Sequence, residues 1–358
     1  MLRFIHCADI HLGSKMEAKL PEQKVEERRR EIRMTFNKMI DYAKANGVRA
    51  ILLSGDVFDS DRPLRRDKLF FYEAVKGNPD MDFIYLRGNH DSKESYTEEG
   101  LLNLKTFSSE WSSYSYGDVD ITGLELSEEN ELSLYSTLNL DSDKLNIVML
   151  HGTVSEYTGR GMINVRELKN RNIDYLALGH YHSFRKEAID MRGMYAYSGC
   201  LEGRGFDETG EKGFVLLEID EENKKIKDTF VPFACRTVRE LCVDISDCEG
   251  SYSAYKKICD SYEWSTGDLL RVILSGEITF DSDGLSSEIE ELLSDKCYFA
   301  SVKDKTHRRI SLADHENDTT LRGEFVRSIL LANGYTDEEK QQMITYGLRV
   351  LDGREAEL

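Results

Sequence analysis

Uninterrupted apolar runs near the N-terminus predict buried strands. Three of them, at Leu2–Ala8, Val48–Leu53 and Asp82–Leu86, have the character of parallel strands that are covered on both faces. The segments between them, Glu26–Ala45 and Leu64–Lys76, repeat apolar residues at helical spacing. Strands that alternate with helices in this way predict an α/β domain.

Beyond the third strand, helical spacing predicts one more helix at Ser95–Phe107. Strand-like runs then follow one another with few helical segments between them, which predicts a second sheet packed on the first. These runs are Val119–Leu124, Asn146–Leu150, Asp174–Leu178, Met194–Tyr197 and Phe214–Ile219. We therefore expect a two-sheet sandwich over residues 1–235.

The pattern changes in the last third of the chain. Strands and helices alternate in the order Val238–Ile245, Tyr252–Tyr262, Leu269–Leu274, Leu285–Ser294 and Tyr298–Val302. This order predicts a small separate α/β domain at residues 236–305. Thr336 and Glu339 form a capping box, which predicts that a helix begins there and ends near Leu351. Residues 306–358 are thus a helical C-terminal segment.

Composition places the chain among globular proteins. Of its 358 residues, 40% are hydrophobic and 32% are charged, and no run approaches the roughly 18 apolar residues of a membrane span. The first residues indicate a strand rather than a signal peptide. The seven cysteines are odd in number and include no Cys-x-x-Cys pair, so reduced thiols and a cytoplasmic location are expected.

The charge is unevenly distributed. The net charge of −19 argues against a protein that binds nucleic acid over its whole surface unaided. Residues 1–100 hold 18 Lys and Arg against 18 Asp and Glu and are therefore neutral, whereas residues 236–358 hold 15 against 25, a net of −10.

Polar residues follow the predicted strands at their carboxyl ends. Ligands of open α/β sheets bind there, so these residues are expected to converge. Asp9 and His11 are two positions apart on an extended chain and can reach the same ion. The clusters are Asp9-Ile10-His11, Gly55-Asp56, Gly88-Asn89-His90-Asp91, His151-Gly152 and Gly179-His180-Tyr181-His182.

The residue types in these clusters indicate a metal site. Imidazole, carboxylate and amide groups without thiolates favour Mn²⁺, with Fe²⁺ or Zn²⁺ as alternatives. Seven ligands are too many for one ion but suit two divalent ions, provided that one carboxylate bridges them. The seven candidates are Asp9, His11, Asp56, Asn89, His151, His180 and His182.

The order of these motifs resembles that of the calcineurin-like metallophosphoesterases over roughly residues 1–235. Within that superfamily the chain is similar to SbcD-type DNA repair exonucleases. The narrower resemblance rests on His6-Cys7-Ala8-Asp9-Ile10-His11-Leu12-Gly13, Tyr197-Ser198-Gly199-Cys200-Leu201-Glu202, Lys212-Gly213-Phe214, Leu321–Arg327 and Gly347–Arg349. Cys200 stands where that family often has serine. The resemblance implies an αββα metallophosphoesterase sandwich.

Specific roles also follow from the resemblance. The ligand sets it implies are Asp9, His11 and His182 for one ion, Asn89, His151 and His180 for the other, and Asp56 as the bridge. His90 would donate a proton or stabilise the transition state, and Asp91 would orient it; alternatively, His90 only orients a ligand. Asp59 either holds a ligand in place or caps a turn.

Two classes of enzymatic function remain open. A third possibility is a scaffold protein whose metal site is vestigial. In the first class the protein is a DNA exonuclease or endonuclease in repair. For this class, the resemblance implies that residues 236–305 form a capping domain that contacts DNA. It also implies that an SMC-like coiled-coil ATPase docks on the C-terminal helices. A homodimer, as in the resembling family, could form through Leu64–Lys76 and Ser95–Phe107. In the second, it is a phosphatase or cyclic-nucleotide phosphodiesterase that acts on a small molecule and leaves the C-terminal 120 residues unexplained.

Overall fold

The computed structural model describes residues 1–16, 20–92, 100–157, 159–280, 282–308 and 318–351, the side chains of Arg308 and Arg349 excepted. The chain divides into two units, Met1–Arg239 and Glu240–Leu358. The roles predicted for residues 1–235, 236–305 and 306–358 stay predictions.

The first unit is rich in strands. Its strands and helices are β1 (Leu2–Cys7), α1 (Glu22–Ala45), β2 (Ala50–Ser54), α2 (Arg65–Lys76), β3 (Asp82–Leu86), β4 (Leu104–Thr106), β5 (Ser112–Tyr116), β6 (Val119–Gly123), α3 (Leu134–Thr137), β7 (Leu145–His151), β8 (Thr153–Ser155), β9 (Met162–Asn164), β10 (Tyr175–Gly179), β11 (Arg185–Ala188), β12 (Met194–Tyr197), β13 (Gly213–Asp220) and β14 (Lys225–Pro232).

Two six-stranded sheets form this unit. The first has the order β14-β13-β1-β2-β3-β4, with β1 to β4 parallel and β13 and β14 antiparallel to their neighbours. The second has the order β11-β12-β10-β7-β6-β5, with β12, β10, β7 and β6 parallel. The predicted second sheet is therefore confirmed for four of its five predicted strands. The fifth, Phe214–Ile219, lies in β13, which instead extends the first sheet by pairing antiparallel to β1.

Side chains alternate between the two faces of the first sheet. Phe4 and Leu52 lie between the two sheets, where they pack against residues such as Ile147. Ile5 and Ile51 point the other way and pack against α1 and α2. The outer face of the second sheet is covered by α3, by a 3-10 turn at Val165–Leu168 and by loops. The result is a mixed α/β fold with two central sheets, as predicted.

The helix predicted at Ser95–Phe107 is wrong over its described part. Residues 95–99 lie outside the described residues, and the rest contains β4 rather than a helix. Leu104 pairs with Phe83 at the edge of the first sheet, while Leu102 is 95% exposed. Leu104 therefore belongs to a short edge strand, and the exposed Leu102 covers no buried helix face.

The second unit has its own core. It comprises β15 (Val238–Asp244, which begins just before the boundary), α4 (Ser251–Asp260), β16 (Leu269–Ser275), β17 (Glu277–Ile278), α5 (Leu285–Leu293), β18 (Phe299–Asp304), β19 (His307–Arg308), α6 (Leu321–Leu330) and α7 (Asp337–Leu351). The strands β15, β16 and β18 form a sheet whose apolar residues pack with those of α4 and α5. The predicted capping box is confirmed: the main-chain N–H of Thr336 donates to Glu339 Oε2 at 2.7 Å. Within the described residues, no helix is both long and apolar enough to cross a membrane.

Candidate metal centre

The ends of parallel strands place the predicted ligands side by side. The segment after β1 pairs with the segment after β2, because the N–H groups of Asp9 and His11 donate to the carbonyls of Gly55 and Asp56, both at 3.0 Å. In the second sheet, the end of β7 lies beside the end of β10. The face-to-face packing of the sheets then brings both pairs of segments to one edge of the sandwich.

A first cluster consists of Asp9, His11 and His182. One ligand atom from each lies within 4.8 Å of the others. Asp9 and His11 are buried, and the side chain of His182 is partly exposed. The Nε2 atoms of His11 and His182 face each other at 3.3 Å.

A second cluster consists of Asp56, His151 and His180. His151 Nε2 lies 3.4 Å from Asp56 Oδ2. Asn89 joins this cluster, because its Oδ1 atom lies 3.0 Å from both His151 Nε2 and His180 Nδ1. Asp56 and His151 are buried, whereas Asn89 and His180 are exposed, so this cluster opens to solvent.

The two clusters are neighbours. The main-chain N–H of His180 donates to both carboxylate oxygens of Asp9, at 3.0 and 3.1 Å. The main-chain N–H of His90 donates to Asp56 Oδ1 at 2.8 Å. The rings of His90 and His11 lie 5.2 Å apart, edge to face. All seven predicted ligands and His90 therefore lie in one region.

Backbone strain is concentrated at this region. Four of the seven predicted ligands have positive φ angles that L-residues seldom adopt: Asp9 (53°), His11 (52°), Asp56 (52°) and His180 (106°). Such conformations cost free energy and persist where surrounding structure enforces them. Their co-occurrence is typical of a functional site.

Two glycines allow the strand-end loops to touch. A Cβ atom at Gly88 would lie 2.2 Å from Asp56 Oδ1, and one at Gly55 would lie 2.2 Å from His151 Nδ1. Only a residue without a side chain permits these approaches.

Electrostatic interactions set the protonation of the second cluster. Burial disfavours a charged His151, but the hydrogen bond and charge of Asp56 outweigh burial and raise the pKa of His151 to about 9. Burial opposes ionisation of Asp56, yet His151 and His11 lower the pKa of Asp56 well below its usual range. Burial and the charge of His151 lower the pKa of His180. Metal binding at His151 would thus release a proton.

Asp91, which is predicted to orient His90, is observed in contact with main-chain groups of the loops after β2 and β3. Asp91 accepts hydrogen bonds from the main-chain N–H groups of Phe58 at 3.0 Å, Gly88 at 3.1 Å and Val57 at 3.3 Å. Burial and the charge of Asp56 raise the pKa of Asp91 to about 6. These contacts tie the loop after β3 to the loop after β2.

Three residues behind the first cluster escaped the sequence analysis as a group. Glu208 Oε1 lies 2.7 Å from His182 Nδ1, and Asp59 Oδ1 lies 3.1 Å from His11 Nδ1. Arg204 contacts both carboxylates. Of the three, only Asp59 was considered from the sequence, and its position behind His11 favours the alternative in which it holds a ligand in place.

The motifs Tyr197–Glu202 and Lys212–Phe214, on which the family resemblance partly rests, contact the main chain beside the histidine ligands. The hydroxyl of Tyr197 donates to the carbonyl of Gly152 at 2.8 Å, and Lys212 Nζ donates to the carbonyl of His182 at 2.7 Å. Cys200 is buried, and its Sγ lies 3.4 Å from the His182 carbonyl. These residues hold the segments that carry the histidines.

The donor set fits divalent metal ions. The Nε2 atoms of His11 and His182 face each other at 3.3 Å, and the Nδ1 atom of each ring lies beside a carboxylate. When each ring carries its proton on Nδ1, the two Nε2 lone pairs face each other and repel unless a cation lies between them. The carbonyl oxygen of Asn89 between two imidazoles is likewise suited to a cation.

A cleft of about 480 Å³ lies beside the second cluster. Its lining includes Asn89, His151 and His180 from the cluster, together with Arg87 and Arg160. Arg87 pairs with Glu125 and Arg160 with Glu128. The exposed ligands therefore face a space that a substrate can enter.

A known family and known proteins are similar to this chain over half of its length or more. The family model for the calcineurin-like phosphoesterases matches residues 2–184, half of the chain. The DNA double-strand break repair protein Mre11 of Sulfolobus acidocaldarius is 23% identical over 96% of this chain and 94% of its own length. The metallophosphoesterase YhaO of Bacillus subtilis is 28% identical over 73% of this chain and 67% of its own length.

Among solved structures, a dimetal phosphatase from Danio rerio matches 62% of this chain and 93% of its own chain with 12% identity and a TM-score of 0.43. The matched family and the sequence relatives together support a metal-dependent hydrolase. Since the family model covers half of the sequence, this chain belongs to the calcineurin-like phosphoesterase family.

Proposed function

We propose that this protein is a DNA repair nuclease that hydrolyses phosphodiester bonds with two divalent metal ions. The observation that carries the proposal is the meeting of the clusters Asp9–His11–His182 and Asp56–His151–His180 at one edge of the sandwich. Similarity to Mre11, a DNA double-strand break repair protein, over nearly the whole chain supports DNA as the substrate.

The seven ligands divide between the two ions. We assign Asp9, His11 and His182 to one ion, Asn89, His151 and His180 to the other, and Asp56 to both. The oxygen and nitrogen donors favour Mn²⁺, with Fe²⁺ or Zn²⁺ as alternatives. When bound, the pair of ions would supply a nucleophile at neutral pH and neutralise charge on the phosphodiester.

His90 is the proposed proton donor. Its side chain is exposed beside the site, and its main-chain N–H is held by Asp56. From there the imidazole can donate a proton to the departing sugar oxygen. Asp91 fixes the loop that carries His90 through its three main-chain contacts.

The resemblance to SbcD-type nucleases extends the proposal to partners. An SMC-like ATPase would dock on the C-terminal helices, where Leu321 is 73% and Leu331 is 66% exposed. A homodimer would use α2, where Leu69 is 42% exposed. The acidic charge of the second unit leaves phosphate contacts to the first unit and to the ATPase.

Degradation of DNA ends tests the proposal. Purified full-length protein is incubated with end-labelled linear DNA and Mn²⁺, with and without the ATPase, and with a chromogenic phosphodiester in parallel. We expect Mn²⁺-dependent loss of DNA that EDTA abolishes. Hydrolysis of the chromogenic ester without cleavage of any DNA would instead support the small-molecule phosphodiesterase.

A further inference from the structure

We propose that Arg204 is a positioning residue for the first metal site. It holds Asp59 and Glu208, which orient His11 and His182 so that both Nε2 atoms face one ion. The inference rests on the proposed function in one respect, namely that these two histidines bind a metal ion.

The two imidazoles are each held from behind. Glu208 Oε1 lies 2.7 Å from His182 Nδ1, and Asp59 Oδ1 lies 3.1 Å from His11 Nδ1. A carboxylate is only an acceptor, so a proton on Nδ1 of either histidine faces a carboxylate and leaves the lone pair of Nε2 for a metal ion. The Nε2 atoms lie 3.3 Å apart at the front of the rings.

Arg204 connects the two carboxylates. Its Nη1 donates to Asp59 Oδ1 at 2.8 Å, and its Nη2 and Nε donate to Glu208 Oε1 at 2.6 and 3.1 Å. Its main-chain N–H donates to the other oxygen of Glu208 at 2.6 Å. Nη2 also lies 3.3 Å from His182 Nδ1. When His182 carries its proton on Nδ1, Glu208 is the common acceptor of Arg204 and His182, because a carboxylate accepts from both donors.

The group is buried and its geometry demands arginine. The side chain of Arg204 is 5% exposed and that of Glu208 is 2% exposed, so their charges are shielded from water. One planar guanidinium reaches both carboxylates with fixed directions, whereas a lysine ammonium is a single point of charge. Lysine at this position would hold one carboxylate and release the other.

Within the described residues, Arg204, Asp59 and Glu208 contact the histidines of the first cluster and not those of the second. His151 in the second cluster is held by a main-chain carbonyl, with its Nδ1 2.9 Å from Ser54 O. Loss of Arg204 should therefore weaken one metal equivalent and leave the other intact. Changes to groups that hold metal ligands from behind lower metal affinity by about 10–100-fold.

The chain offers a matched control for a purely structural effect. Arg28 is another buried arginine, paired with Glu202 at 2.8 Å and with Glu31. Its hydrogen bonds, to Glu31, Glu202 and the carbonyl of Gly203, involve none of the seven proposed ligands. Arg28→Met should lower the melting temperature as Arg204→Met does, yet leave metal binding unchanged.

Calorimetric titration of the metal-free full-length protein with Mn²⁺ tests the inference. Wild type and Arg28→Met should bind two equivalents alike, whereas Arg204→Met, Arg204→Lys and the isosteric Glu208→Gln should show one equivalent weakened at least tenfold. Glu208→Gln decides the matter if Arg204→Met does not fold. Unchanged binding in folded Arg204→Lys and Glu208→Gln, or an equal loss in Arg28→Met, would overturn the inference.

His182→Ala separates this inference from the function proposed above. It should lose the same equivalent that the Arg204 variants weaken. If it keeps both equivalents, the ligand assignment is wrong. If it loses one while the Arg204 and Glu208 variants keep both, the ligand assignment stands and only the role of Arg204 fails.

Discussion

His6 is a buried histidine in which both ring nitrogens are satisfied. Its Nε2 lies 3.1 Å from the carbonyl of Leu178 and its Nδ1 lies 3.0 Å from the hydroxyl of Tyr175. Because a carbonyl only accepts, Nε2 carries the proton and Nδ1 accepts from Tyr175. The ring thus joins β1 to β10, the two strands that lead to the first metal cluster.

Acid should destabilise the protein through His6. Burial lowers the pKa of His6 to about 3, so between pH 6.5 and 3 the unfolded chain takes up a proton that the folded chain does not. The free energy of unfolding therefore falls as pH falls, by up to about 1.4 kcal/mol per pH unit. Urea denaturation of His6→Gln from pH 7 to 4 should show a shallower slope than wild type. The exposed His307→Gln is the control, and parallel curves for wild type and His6→Gln would contradict the prediction.

His90 and Asn89 are adjacent but should respond differently to substitution. His90→Ala should retain both metal ions and lose about 10²–10⁴-fold in hydrolysis, because it removes a proton donor and no ligand. Asn89→Ala should weaken one ion, because its Oδ1 faces two imidazoles at 3.0 Å. Elemental analysis of the metal content, together with the rate of phosphodiester hydrolysis, distinguishes the His90 variant from the Asn89 variant. Loss of metal from His90→Ala would make His90 a ligand instead.

At the scale of elements, the loops after β2 and β3 meet at main-chain distance. A methyl group at Gly88 would lie 2.2 Å from Asp56 Oδ1 and 2.6 Å from its main-chain nitrogen. Gly88→Ala should therefore displace the proposed bridging carboxylate, weaken metal binding and destabilise the fold by about 1–3 kcal/mol. Gly267→Ala is a suitable control, since the nearest atom to its methyl group would be 3.6 Å away. Equal metal affinities in the two variants would show that the loops can move apart.

The polar residues at the strand ends could be predicted from the sequence, whereas the side-chain contacts that hold the histidine ligands could not. Buried parallel strands such as β2 are continuous apolar runs, and polar residues that follow them stand out. Arg204 and Asp59 are 145 residues apart and meet only in the folded chain. No local period marks such a pair. The three-residue strand β4 is likewise too short to show an alternation that could compete with helical spacing.

At the scale of the whole molecule, each unit has its own core and one of the two tryptophans. Trp111 lies in the first unit and donates to the carbonyl of Leu134 at 3.1 Å. Trp264 lies in the second unit and donates to the carbonyl of Cys259 at 3.1 Å. Each indole therefore reports the unfolding of one unit.

Metal ions should stabilise one unit and not the other, because all seven proposed ligands precede Arg239. A ligand at 100 times its Kd contributes about 2.7 kcal/mol for each site, so two occupied sites correspond to a rise of about 10–20 °C in a unit of this size. Thermal unfolding followed by fluorescence should show this rise with Mn²⁺ in Trp264→Phe, where Trp111 reports. It should be absent in Trp111→Phe, where Trp264 reports. Equal shifts in both variants would mean that the two units unfold as one, and no shift in either would contradict the metal site itself.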